Sequence, residues 1–261
     1  MRPTPAQGHT PRKRFGQNFL TDQSVIGDCM AAIHARRGDK LVEIGPGLGA
    51  LTQPLLRALD HLHVVEIDRD IIARLQRDYP PENLTVHAGD ALKFDFASLG
   101  QPLRVVGNLP YNISTPLLFH LAAYASGITD CHFMLQKEVV ERMVAAPGTP
   151  AYGRLSVMLQ FRFAMEYLFT VPGDAFNPPP KVESAFVRMI PLDPLPYPVE
   201  DQARFAHVVT AAFAQRRKTL RNTLRDILAP QDFAALGIDP GLRGETLGVA
   251  EFAAIANYRP S

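Results

Sequence analysis

The chain has 261 residues, 46% hydrophobic and 20% charged, enough apolar material for one large core with a smaller appended unit and too much for a disordered chain. Its 27 Lys and Arg stand against 26 acids for a formal net charge of +1, so any grip on nucleic acid must come from clustered cations rather than overall charge. No apolar run has membrane-spanning length and the N-terminus lacks the apolar core of a signal peptide, so a soluble cytoplasmic protein is expected, with monomer as the default.

Residues 1–11 carry three prolines and little apolar material and read as a mobile tail. Arg12, Lys13 and Arg14 precede Phe15-Gly-Gln-Asn-Phe-Leu20, where Gln17 and Asn18 suggest a segment that packs down and offers amides. Thr21 or Asp22 caps a helix running to about Arg37, with Val25, Ile26, Cys29, Met30 and Ile33 on one face. Cys29 and Cys131 have no ligand spacing and read as buried free thiols; no metal site is expected.

Leu41, Val42 and Ile44 form a short buried strand that leaves through Gly45, Gly47 and Gly49, a turn in which a ligand can lie against bare backbone. A second strand, HLHVVEI, carries Glu66 about 20 positions after Gly45, where an acid accepts hydrogen bonds from ribose hydroxyls. The glycine spacing is not GxGxxG, and Glu43, two residues before Gly45, opposes a pyrophosphate and suits a cationic ligand. This arrangement resembles the first motif of S-adenosylmethionine-dependent methyltransferases, where the carboxylate faces the methionine end and glycines such as Gly45 and Gly47 pass under the nucleoside.

Helices at Leu51–Leu59 and Ile71–Asp78, interleaved with HLHVVEI and LTVHAG, imply a parallel sheet with crossover helices, and in such sheets the ligand lies beyond the carboxyl ends of the strands. The third strand ends at Gly89-Asp90 and the fourth at Asn108-Leu-Pro-Tyr111; Asp90 either caps the next turn or contacts an adenine amino group. A helix from Ser114 to Tyr124, the strand CHFMLQ, the helix KEVVERMVA and a loop from Pro147 to Gly153 follow. Strands at Tyr167–Val171 and Val182–Ile190 then suggest a hairpin at a sheet edge. Pro191, Pro194, Pro196 and Pro198 mark a linker, after which the chain reads helical.

An adenine amino nitrogen is a poor nucleophile because its lone pair is delocalised into the ring. The Asn108 side-chain oxygen and the Leu109 carbonyl can hold its hydrogens, Pro110 stiffens the turn, and Tyr111 offers a face on which an extruded base can stack. Methyl transfer is then a direct displacement needing chiefly orientation. Phe176, in AFNPPPKVES, is either a second aromatic wall for the base or a core residue. In the tail, Gln215–Arg225 carries Arg216, Arg217, Lys218, Arg221 and Arg225 and no acid. Read as one amphipathic helix, it sets Arg217, Arg221 and Arg225 on one face and Leu220, Leu224, Ile227 and Leu228 on another, for a phosphate grip or a solvated face.

Together, GQNFL, EIGPGLG, VVEID, GDAL, VGNLPYNIS, LQKEVVERM, AYGRLSV, FNPPPKVES, QRRKTLRN and RGETL resemble the bacterial ribosomal RNA small subunit methyltransferase A family, the 16S rRNA adenine dimethyltransferases. The resemblance implies α/β architecture, with a Rossmann-like methyltransferase sheet in residues 12–192 and a small all-helical C-terminal domain in residues 199–261 that binds RNA. It implies S-adenosylmethionine against Asn18, Leu20, Gly45, Glu66, Asp90 and Asn108, and dimethylation of two adjacent adenosines in the 3′-terminal hairpin loop of 16S rRNA within the small subunit. A large-subunit rRNA methylase of the antibiotic-resistance type and a small-subunit assembly factor acting mainly by binding are the alternatives. A protein-glutamine methyltransferase is disfavoured because Leu109 stands where its motif has proline.

Overall fold

The computed structural model describes residues 17–259; the expected mobile tail and the basic run Arg12–Arg14 lie outside them. The elements run β1 (Phe19–Leu20), α1 (Gln23–Ile33), β2 (Leu41–Ile44), α2 (Thr52–Ala58), β3 (Leu62–Glu66), α3 (Arg69–Asp78), β4 (Leu84–Ala88), β5 (Leu103–Asn108), α4 (Ser114–Ala122) and β6 (Ile128–Gln136). They continue through α5 (Lys137–Val144), α6 (Arg154–Gln160), β7 (Phe163–Val171), β8 (Phe176–Asn177), β9 (Ser184–Pro191), α7 (Gln202–Phe213), α8 (Leu220–Thr223), α9 (Pro230–Leu236) and α10 (Val249–Asn257).

The described residues form two compact units, the first comprising residues 17–140 and 165–191. It holds a seven-stranded sheet of order β4-β3-β2-β5-β6-β9-β7. The β4 to β6 pairings are parallel and β9 is antiparallel to β6, with Gln136 opposite Ser184. The central strands are apolar because they are covered on both faces: Leu41, Val42, Val64 and Val105 are all fully buried. From β2 the chain steps one way through β3 and β4, then returns past β2 to β5 and β6. The order therefore reverses beside β2 and opens a crevice at the strand ends there.

Capping sets the helix ends. The Asp22 carboxylate accepts from the Ser24 and Val25 amides, and the Asp68 carboxylate accepts from the Asp70 amide. The first helix stops at Ile33, a turn earlier than the expected Arg37. His34 adopts the left-handed conformation, φ 49°, and its amide bonds the Met30 carbonyl, ending the helix without the usual glycine.

The second unit comprises, among the described residues, 141–164 and 192–259. A segment read from sequence as part of the first domain thus folds with the helices beyond the proline run. Its core contains Val157, Phe161, Phe205, Val208, Leu220 and Phe252, and the Phe161 and Phe205 rings lie 4.3 Å apart. Helix α6 was not expected from sequence, and β7 begins at Phe163 rather than Tyr167. The expected basic helix over Gln215–Arg225 is broken: only Leu220–Thr223 is helical, with Leu220 and Leu224 buried beneath it. Arg216, Arg217 and Lys218 lie in the turn before α8 and Arg225 lies after it, so the arginines do not share a helix face.

Candidate active site

A cavity of about 260 Å³ opens at the carboxyl ends of β2, β3, β4 and β5. It gathers Asn18, Leu20, Glu43, Gly45, Gly47, Glu66, Asp90 and Asn108 to Tyr111, all expected from sequence, and adds Gln17, Ile67 and Ile71.

The glycine turn shapes one wall. Gly45 and Gly47 have φ of 66° and 55°, a region that costs other residues steric strain. A Cβ on Gly47 would stand 3.1 Å from the Phe19 ring, so side chains are excluded where the backbone borders the cavity. The Gly45 amide donates to the Val65 carbonyl at 3.0 Å, which ties the turn to the neighbouring strand.

Three carboxylates line the cavity. Glu43 is buried and accepts a 2.7 Å hydrogen bond from the Thr52 hydroxyl. Burial pushes its carboxyl up to about 7, opposed by the Thr52 bond and reinforced by the charge of Glu66. Glu66 is raised by burial too, and its Oε1 accepts from the Ile67 and Asp68 amides at 2.7 and 2.8 Å. The Gly47 amide also bonds this carboxylate, which ties Glu66 to the glycine turn at the cavity wall. Asp90 Oδ1 accepts from the Leu92 amide at 3.0 Å, so this residue caps its turn while also lining the cavity. A bare-backbone turn, acids for an ammonium group and ribose hydroxyls, and apolar Ile67 and Ile71 beside them fit S-adenosylmethionine.

Beside the glycine turn stands the turn after β5: a Cβ on Gly45 would lie 3.9 Å from the Asn108 carbonyl oxygen. Asn108 donates through Nδ2 to the Asn18 carbonyl at 3.0 Å, which leaves its side-chain oxygen to accept. The Leu109 amide donates to the Met134 carbonyl at 3.1 Å. The Pro110 carbonyl accepts from Ile113 and from the Ser114 hydroxyl, at 3.1 and 3.0 Å. Among the described residues no hydrogen bond is made to the Leu109 carbonyl. Tyr111 is half-buried, with its hydroxyl 2.6 Å from that of Ser184.

Phe176 is not brought to the cavity. It is 3% exposed and packs in the core, on a strand pairing antiparallel with β1: Leu20 opposes Phe176 and Phe19 opposes Asn177. This pairing holds Asn18 and Leu20 at the cavity wall, and Gln17 adds a 3.1 Å hydrogen bond to Asp68. Asp68 and Ser184 stand at the ends of the VVEID and FNPPPKVES segments and Thr52 lies in no such segment; none of the three was singled out from sequence, because only the fold brings their side chains to the site. In the helical unit, Arg216 donates to the Pro150 carbonyl while remaining largely exposed, and Arg225 is highly exposed with Asp226 at 3.7 Å.

The model of the ribosomal RNA adenine dimethylase family matches residues 8–259 of this chain. The chain is 68% identical over 250 residues to the ribosomal RNA small subunit methyltransferase A of Thiobacillus denitrificans, covering 96% of this chain and 98% of that protein. It is 66% identical over 251 residues to the protein of the same name from Laribacter hongkongensis, covering 95% and 96%. Among solved structures, a dimethyladenosine transferase from Plasmodium falciparum matches with a TM-score of 0.78 at 25% identity, covering 91% of this chain and 95% of that one. The 23S rRNA methyltransferase ErmE matches with a TM-score of 0.72 at 23% identity, covering 92% and 98%, a likeness of fold alone.

Proposed function

The chain belongs to the ribosomal RNA adenine dimethylase family and is an S-adenosylmethionine-dependent 16S rRNA adenine dimethyltransferase, and from that premise we propose how its residues divide the work. Its targets are two adjacent adenosines in the 3′-terminal hairpin loop, met within the small subunit by a cytoplasmic monomer. S-adenosylmethionine supplies an electrophilic methyl on its sulfonium.

Glu43, Glu66 and Asp90 hold the ammonium, ribose and adenine ends of that donor, with Asn18, Leu20, Gly45 and Gly47 enclosing it. Asn108 Oδ1 and the Leu109 carbonyl accept the hydrogens of the target amino group and turn its lone pair toward the methyl. Tyr111 stacks on the extruded ring and Pro110 fixes the turn between them. The observation that carries this reading is the Asn108 amide. Its nitrogen donates one hydrogen to the Asn18 carbonyl, which sets the orientation of the amide and leaves its oxygen to accept from substrate. The exposed Arg217, Lys218, Arg221 and Arg225 supply phosphate contacts from the helical unit, with Arg216 beside them.

The test is to supply labelled S-adenosylmethionine with small subunits lacking the terminal-loop methyl groups, beside large subunits and naked 16S rRNA. Label in dimethyladenosine from small subunits alone is the expected result. Label in large subunits, or binding to small subunits without transfer, contradicts the reading.

A further inference from the structure

The turn that presents Asn108 is fastened at three points. Two are the Leu109 amide on the Met134 carbonyl and the Pro110 carbonyl under Ser114 and Ile113. The third lies at the far end of Tyr111. Ser184 is fully buried at the first position of β9, where its backbone is registered against Gln136 on β6. Met134, two residues earlier on the same strand, is the residue that receives Leu109. The end of β6 therefore locates both the start of the Asn108–Tyr111 turn and the hydroxyl meeting its last side chain. A 2.6 Å contact between two hydroxyls is a full-strength hydrogen bond, and Ser184 Oγ has no other partner among the described residues.

A tyrosine used as a stacking platform needs only its ring face, so the hydroxyl is free to act as an anchor. An unanchored ring swings about χ1 and loses the plane on which a base must settle. We infer that Ser184 is a positioning residue for methyl transfer: by holding the Tyr111 hydroxyl it fixes the ring plane against which the target adenine stacks, without touching substrate or methyl donor. This rests on the reading of Tyr111 as the stacking face. The prolines of Asn177-Pro-Pro-Pro180 keep the chain before Ser184 stiff, so the anchor is not carried on a mobile loop.

Because a ribosomal particle is held by many contacts remote from one base, loss of the anchor is expected in kcat, with KM for small subunits unchanged. Losing one buried neutral hydrogen bond corresponds to about fivefold. Tyr111→Phe and Ser184→Ala should each lower kcat about fivefold, and the double variant should be no slower than either single one. S-adenosylmethionine affinity should stay at the wild-type value, and melting temperature should fall by no more than about 2–4 °C, the loss of one buried hydrogen bond. Multiplying losses, or a Ser184→Ala enzyme at the full wild-type rate, overturns the proposal. Tyr111→Ala separates the two layers: wild-type turnover by that variant removes the stacking reading itself, whereas a severe loss there with unaffected Ser184→Ala removes the anchor alone.

Discussion

Glu43 illustrates how one residue answers two demands. Held by Thr52 and buried, it is costly to ionise in the empty protein, yet the ionised form attracts a cation. Its carboxyl titrates at about 7, so cofactor binding should expel a proton near neutral pH, and S-adenosylmethionine affinity should fall as the pH drops below about 7. Calorimetry in buffers of different ionisation enthalpy measures that proton, and Glu43→Gln should abolish both the release and the pH dependence. The sign for the empty protein is opposite. A carboxyl raised from 4.5 to about 7 contributes stability below its unfolded value that is lost as the pH climbs through 7. Glu43 was legible in sequence because its position relative to the glycines is a motif. Thr52 was not, since only folding brings its hydroxyl to the carboxylate.

At the scale of elements, packing decides one reading that the sequence left open and changes another. Phe176 was open between base wall and core, and pairing of β8 with β1 places it in the core. Phe176→Ala should cost about 3–5 kcal/mol of stability and weaken cofactor binding by loosening Asn18 and Leu20. Phe176→Leu should retain most methylation, whereas a base wall would lose transfer while the fold persisted. Thermal unfolding and cofactor titration of both variants distinguish these outcomes.

The basic stretch kept its residues but not its helix. Burial of Leu220 and Leu224 holds one short turn of helix, and the flanking cations lie on turns that periodicity did not foresee. Charge reversal at Arg217 and Arg221 should weaken small-subunit binding and lower the slope of log affinity against log salt by about one for each phosphate no longer neutralised. S-adenosylmethionine affinity should not change.

For the molecule as a whole, acid is the weak side. His132 is 1% exposed and neither ring nitrogen has a hydrogen-bond partner among the described residues, while His63 sits between His61 and His87, with ring centroids 5.0 and 5.3 Å away. Burial lowers both from 6.5 to about 4. The unfolded chain then binds more protons, so the stability they contribute is present above 6.5 and lost as the pH falls toward 4. Melting temperature should decline across that window, and His132→Leu should flatten part of the decline.

The succession of strands and helices and the residues at the strand ends were readable because apolar runs and glycine turns are local signals, whereas the order of the strands in the sheet came only with the fold. The return of residues 141–164 to the helical unit was not readable either, because it depends on packing against residues beyond the proline run.

The most direct test of the account is single-turnover methylation of undermethylated small subunits by Asn108→Ala beside wild type, with S-adenosylmethionine affinity measured on the same samples. The account predicts transfer slower by about 100-fold or more, as expected when a preorganised group acting in the transition state is removed, with cofactor affinity changed by less than about tenfold. Transfer within a factor of about three of wild type would contradict the assignment of the Asn108–Tyr111 turn as the reacting centre.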